Sequence, residues 1–249
     1  MSFEAWEGFI ITCAIEIDNV RKVFRVGDEK VIALNNISMK IEVGEVCCLL
    51  GTSGSGKSTL LNLMAGLEKP TRGTIKIHGK HIEKMNEKQL AKFRQKNIGF
   101  IFQSYNLMPT LTALENVSLP LTFRGITKKI RDKAAANILK AVGLEKYIKH
   151  KPTQMSGGQQ QRVGIARAFV SKPPIVFADE PTGNLDSKTT QEVLQLMLAL
   201  GKENNQTIII VTHDRSIAAF ADKIYYMLDG NIEKIEENNE ENRGINNEA

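Results

Sequence analysis

Three short runs of the chain, VCCLL (46–50), IVFA (175–178) and IIIV (208–211), are apolar at every position. A strand with one wet face alternates polar and apolar residues. A strand covered on both faces does not, and the place for such strands is a parallel sheet packed between other layers. This predicts an α/β architecture. The flanks read differently. IEIDNV (15–20) and TIKIHG (74–79) alternate, as half-exposed antiparallel strands do, and IYYMLDGNIEKI (224–235) predicts a hairpin turning at Asp229-Gly230.

Between Gln103 and Phe169 the pattern becomes helical. Thr112 and Glu115 make a capping box before LENVSLPLTF. Ile130, Ala134, Ile138 and Val142 mark the expected buried face of a second helix, which Gly143 should stop. The 249 residues carry a net charge of +5, unevenly spread. From Ile232 onward six Glu face only Lys234 and Arg243, and the acidic end from Glu236 is expected to be disordered. A basic body could serve nucleic acid, anionic lipid or a phosphate-rich ligand. No basic cluster interleaved with aromatics is present, so no nucleic-acid partner is expected. Cys13, Cys47 and Cys48 have no metal-site spacing and read as reduced thiols. The start, FIITCAI, is too short to span a bilayer and follows Glu4 and Glu7, not the basic residues of a signal peptide. A soluble chain is expected.

GTSGSGKST (51–59) lies between the first apolar run and the helix-like LLNLMAGL. Gly51, Gly56, Lys57 and Ser58 fit the phosphate-loop spacing, with Ser53, Gly54, Ser55 and Thr59 completing the stretch. Glycines let backbone N–H groups curl round an anion, and the positive end of a helix starting near Lys57 points at it. Lys57 should reach the terminal phosphates of a nucleotide triphosphate and Ser58 should give Mg²⁺ an oxygen. Leu60, Leu61, Met64 and Leu67 are the expected buried stripe of that helix.

IVFADE ends a buried strand in Asp179 and Glu180, at the sheet edge where open α/β folds bind ligands. Asp179 would hold Mg²⁺, and Glu180, facing elsewhere, would polarise a water for attack on the γ-phosphate. His213 follows the third apolar run at the same edge, where an imidazole can sense that phosphate. In MSGGQQQR (155–162), Ser156 and Gln159 form a second capping box, with Gly157 and Gly158 baring the first helix amides. A second anion-binding helix start is redundant in a simple NTPase. It makes sense if it closes over a nucleotide held by another subunit.

Taken in order, these motifs resemble the ATP-binding subunit of ABC transporters over about residues 15–235. The resemblance implies a P-loop NTPase core of mainly parallel sheet (15–103 and 166–235), an antiparallel β flank and a helical insert (104–165). Residues 1–14 would then be an N-terminal extension and 236–249 a tail. It implies that Gln103 in IFQSYNL reaches the Mg²⁺ or the attacking water, that Asp186 in GNLD sits at a dimer seam, and that Phe24 in RKVFRVG stacks on adenine where Tyr is usual. Met155 stands where the family's signature begins with Leu. LTALENVSLPL, SGGQQQR and DEPTGNLDSKT look like the subgroup serving lipoprotein release, macrolide efflux and antimicrobial-peptide resistance.

That resemblance implies two copies sandwiching ATP, and an integral membrane permease with an extracytoplasmic domain. The cassette would lie peripherally on the cytoplasmic face of the cell membrane. Two rival readings differ from this one in sequence. A non-transport ATPase of the superfamily would carry a long coiled coil or two ATPase units. A regulatory ATP-binding scaffold would not need both Glu180 and His213.

Overall fold

The computed structural model describes residues 13–238. The chain opens with a long hairpin, β1 (Cys13–Val26) and β2 (Glu29–Glu42). Then follow β3 (Val46–Leu50), α1 (Lys57–Met64), β4 (Arg72–Ile77), β5 (Lys80–His81), α2 (Glu87–Asn97) and β6 (Ile98–Phe102). Helices α3 (Ala113–Phe123), α4 (Lys128–Ala141) and α5 (Gly157–Phe169) come next. The chain continues with β7 (Ile175–Asp179), α6 (Ser187–Glu203), β8 (Thr207–Thr212) and α7 (Arg215–Ala218), and β9 (Lys223–Leu228) and β10 (Asn231–Glu237) close it.

The three apolar runs are β3, β7 and β8, side by side and parallel in a six-stranded sheet of order β10-β9-β3-β8-β7-β6. Only β10 runs antiparallel there. Its hairpin with β9 turns at Asp229 and Gly230, both at positive φ as a two-residue primed turn requires. A separate antiparallel sheet, β2-β1-β4-β5, contains both alternating segments.

Burial explains why alternation vanishes in β8. Ile209 and Val211 pack toward α1 and the antiparallel sheet, while Ile208 and Ile210 pack toward α3–α6. Each face of the strand is therefore a core, and every residue of β8 is buried. The structure thus has three layers, with Phe177 among the largest of its fully buried side chains.

Several boundaries and faces differ from expectation. β1 begins by Cys13 and β10 continues to Glu237, so strand structure reaches beyond 15 and 235 at both ends. Residues 1–12 and 239–249, with most of the expected extension and tail, lie outside the described residues. Leu67 is exposed because α1 ends at Met64, three residues before it. In α4 the buried positions are Ala135 and Leu139, with Ile138 packed against the same core and Val142, just past the helix, buried as expected, while Ile130 is 62% exposed. The helical spacing holds at the C-terminal end, and it is at the start and middle of the helix that the inward face is shifted, with Ala135 in place of Ala134. Gly143 does stop it, at φ 76°.

Candidate functional site

The nucleotide-binding candidate is built where β3 ends. Parallel strands β8 and β9 flank β3 and hold its C-terminal edge open, and the loop 51–56 turns there into α1. The turn depends on its glycines. Gly54 and Gly56 sit at φ 82° and 99°, and a Cβ at Gly56 would lie 2.7 Å from the Ala33 carbonyl oxygen. Lys57 folds back over the loop, donating to the carbonyls of Gly51 (2.6 Å) and Thr52 (2.7 Å). Its ammonium is held close beneath the loop's open side with one donor spare. Burial pulls the Lys57 pKa down, and the charges of Glu180 and Asp179 oppose that.

A cavity of about 850 Å³ opens over this loop. Its lining brings together Gly51, Ser53, Gly54, Gly56, Lys57, Ser58 and Thr59 with Gln103, Asp179, Glu180 and His213. Residues separated by up to 162 positions thus meet at one sheet edge, because β3, β6, β7 and β8 are parallel and end together. Asp179 closes β7, half-buried, and desolvation, then the neighbouring Glu180 charge, raise its pKa, while Lys57 lowers it. Glu180 follows at φ 44°, a left-handed conformation costly for a residue that carries a Cβ, held by its N–H to the Val211 carbonyl (2.9 Å).

The carboxylate of Glu180 is not isolated. One oxygen meets His213 Nδ1 at 2.8 Å and the other accepts from the Thr212 hydroxyl at 3.1 Å. Glu180 and His213, read separately in the sequence, form one hydrogen-bonded pair. The imidazole is 68% exposed, so it can move while the carboxylate stays anchored.

Two predicted residues are not part of this lining. The Ser55 side chain is buried beneath the loop, its hydroxyl without a hydrogen-bond partner, so it supports the turn from within. Phe24 lies one strand away, paired with Val31 across β1 and β2, and its ring carries the Lys22 ammonium 4.8 Å from its centre. The wall toward Phe24 is formed instead by Val31, Ile32 and Ala33. These, with Arg215 and Tyr226, were missed from the sequence. Val31 and Ile32 carried a signal, being apolar positions on a hairpin edge that remain about half exposed.

The second helix start is elsewhere. Ser156 Oγ accepts the Gln159 N–H (3.3 Å) and Gln159 Oε1 accepts the Ser156 N–H (3.0 Å), the reciprocal box expected from their spacing. Ser156, Gly157, Gly158 and Gln159 line a separate cavity of about 560 Å³ together with Asp186, which caps α6 by accepting the Thr189 N–H (3.0 Å). The two cavities share no lining residue. A cradle for phosphate and a bare helix start therefore occupy different surfaces of one chain.

Residues 34–183 match the ABC transporter family model. The chain is 46% identical over 226 residues to the ABC transporter ATP-binding protein MJ0796 of Methanocaldococcus jannaschii, covering 89% of this chain and 96% of that one. It is 44% identical over 221 residues to the macrolide export ATP-binding/permease protein MacB of Syntrophobacter fumaroxidans, covering 88% of this chain and 31% of that longer one. A dimeric structure of MJ0796 in a post-hydrolysis state bound to ADP and Pi superposes with a TM-score of 0.83 at 44% identity, covering 90% of this chain and 98% of that one. The chain therefore belongs to the ABC transporter family, as one of the ATP-binding cassettes that are ATPases coupled to transport.

Proposed function

We propose that this cassette hydrolyses ATP between two copies of itself and so drives an efflux-type membrane permease, moving a drug, an antimicrobial peptide or a lipoprotein. The observation that carries this reading is the division of the site between two cavities. Among the described residues, the cavity that Lys57 and the loop amides line contains no part of the capped start of α5, and the cavity at that start contains no part of the phosphate loop. Two copies placed head to tail supply each with the other. The γ-phosphate then holds the copies together only while it is attached, so binding closes the pair and hydrolysis opens it.

Within one half-site, Lys57 and the loop N–H groups neutralise the phosphate oxygens. The Glu180 carboxylate accepts a proton from the attacking water, and its hydrogen bonds to His213 and Thr212 fix its direction. Ser58, Gln103 and Asp179 are hard oxygen donors lining one side of the cavity, a set suited to Mg²⁺. Among the described residues no three His, Cys, Asp or Glu side chains converge as a metal cage. The cation would thus take its other ligands from phosphate and water. Bound there, Mg²⁺ would neutralise charge on the phosphates.

Coupling to the permease is supported by an apolar groove of about 300 Å³ on the other side of β6. Phe100, Phe102, Leu119, Pro120 and Phe123 line it, and Phe123 is 68% exposed. Among the described residues no helix is long and apolar enough to cross a membrane, so the groove fits an element of a separate transmembrane partner. A cassette docked in this way would lie peripherally on the cytoplasmic face of the cell membrane. The likeness to MacB, a macrolide exporter, supports the efflux subgroup and a permease with an extracytoplasmic domain.

The test is Glu180→Gln. It keeps the side chain's shape and removes the base, so the variant should bind ATP and collect as a dimer in size-exclusion chromatography while phosphate release falls on the order of 100-fold. Undiminished phosphate release would remove Glu180 from the role of base.

A further inference from the structure

Two residues after Gln103 the backbone does something that side-chain chemistry disfavours. Tyr105 and Asn106 are consecutive non-glycine residues at positive φ, 60° and 47°. Such a pair persists only where surroundings over-determine it. Their own N–H groups close tight turns, Tyr105 to the Phe102 carbonyl (3.2 Å) and Asn106 to the Ser104 carbonyl (2.6 Å), and their carbonyls share one guanidinium. Arg167 Nη2 donates to the Tyr105 carbonyl at 2.8 Å and Arg167 Nη1 to the Asn106 carbonyl at 2.5 Å. Two donors in a rigid fork match two successive carbonyls, which the single ammonium of a lysine cannot do.

The rest of the segment is tied down as well. Asn116 accepts the Met108 N–H (2.8 Å) and donates to the Met108 carbonyl (3.1 Å), fixing the far end of the loop to α3. A Cβ on Gly157, the first residue of α5, would lie 2.9 Å from the Tyr105 hydroxyl oxygen, so that ring rests directly on the helix start. Arg167 stands near the other end of the same helix and lines the apolar groove. Gln103 is the residue between β6 and this clamped loop, and its carbonyl accepts from Asn184 Nδ2 (2.9 Å).

We infer that Arg167 is a positioning residue for Gln103. By holding Tyr105 and Asn106 in the left-handed region, its fork decides where the Gln103 amide enters the nucleotide cavity. Local backbone preference would place it elsewhere. The inference rests on the reading of Gln103 as a group that acts on the cation or the attacking water. Without the fork, two carbonyls lose their donors and both residues relax toward ordinary φ, carrying Gln103 with them.

The experiment uses the full chain with Arg167→Lys and Arg167→Met, each with and without Asn106→Gly. Glycine occupies positive φ freely, so it should replace part of what the fork enforces. Both single variants should lose kcat by 10- to 100-fold, the order expected for misplacing a reacting group by about 1 Å. KM for ATP should stay within about twofold, because the phosphate loop is untouched. Adding Asn106→Gly should restore at least about threefold of the lost kcat, since it removes the cost of one left-handed residue. Amide hydrogen exchange at residues 104–107 should rise in the single variants, a readout that needs no hydrolysis. Wild-type kcat and exchange in Arg167→Lys would overturn the inference, and so would a kcat loss that glycine does not recover or that KM mirrors. A wild-type chain without ATPase activity would count against the site reading alone, and the exchange result would still decide the role of Arg167.

Discussion

Three glycines of the phosphate loop separate two physical costs that are normally confounded. Gly51 has no positive φ, but a Cβ there would press into the Met227 carbonyl and stand 2.8 Å from Ser55 Oγ. Gly54 has φ 82° and nothing within 4 Å of its Cβ position. Gly56 combines φ 99° with contacts of 2.7 Å to the Ala33 oxygen and 2.9 Å to Leu34 Cδ2. Replacing each by Ala should therefore isolate crowding, then backbone strain, then both. A left-handed alanine costs about 1–2 kcal/mol, the expected penalty for Gly54→Ala. Crowding of a packed site costs about 1–3 kcal/mol, the expectation for Gly51→Ala. Gly56→Ala should then lose about 2–5 kcal/mol, a large part of a typical domain's stability. Urea denaturation of the three variants at one pH measures this order, provided the m-values agree.

Nucleotide affinity should rank the variants differently. The Gly54 Cβ would project into open space of the cavity it lines, where phosphate oxygens approach. Gly54→Ala should thus be among the least destabilised variants yet bind ATP at least about tenfold more weakly, the effect of losing one close backbone contact to a charged group. If Gly54→Ala and Gly56→Ala proved equally unstable, the separation of strain from crowding would be wrong.

Two further outcomes are expected. Ser156→Arg should leave ATP binding by the monomer within about twofold, since its cavity shares no residue with the phosphate cavity, while abolishing the ATP-induced dimer seen by light scattering. Monomer binding lost together with dimerisation would contradict the assignment of Ser156 to the opposing copy. Glu45 gives a pH dependence. Burial raises its pKa above the ordinary 4.5, outweighing the Glu42 N–H and Lys223 that favour its charge. A group with a raised folded pKa contributes stability that is complete below the unfolded value and is lost as pH rises through the folded one. The stability of the wild type relative to Glu45→Gln should therefore fall between pH 4.5 and neutrality, measured by denaturation at several pH values. A difference that grew with pH in that range would refute the sign.

Local patterns were legible where the physics is local. The capping boxes of Thr112–Glu115 and Ser156–Gln159 and the Asp229-Gly230 turn each involve groups within three residues of one another, so spacing alone predicts them. The unalternated runs announced burial on two faces. Strand β6 and helix α2 were not named, because IGFIF and EKQLAKFRQKN give weaker signals: one strand is broken by Gly99 and the helix buries only Leu90 and Phe93. In α4 the inward face was legible at Ile138 and Val142 but not at its start, where Ile130 is left exposed.

The sequence by itself determined that a phosphate cradle exists, between a doubly buried strand and a helix, and that carboxylates end a neighbouring strand. It did so because glycine spacing, capping chemistry and runs of apolar residues act over a few residues. Only the tertiary structure decided that Glu180 and His213 bind each other, that Val31 and Ile32 form the wall in place of Phe24, and that Ser156 faces away from Lys57 in its own chain. Those relations depend on the order and twist of strands far apart in the chain, and no local spacing encodes them.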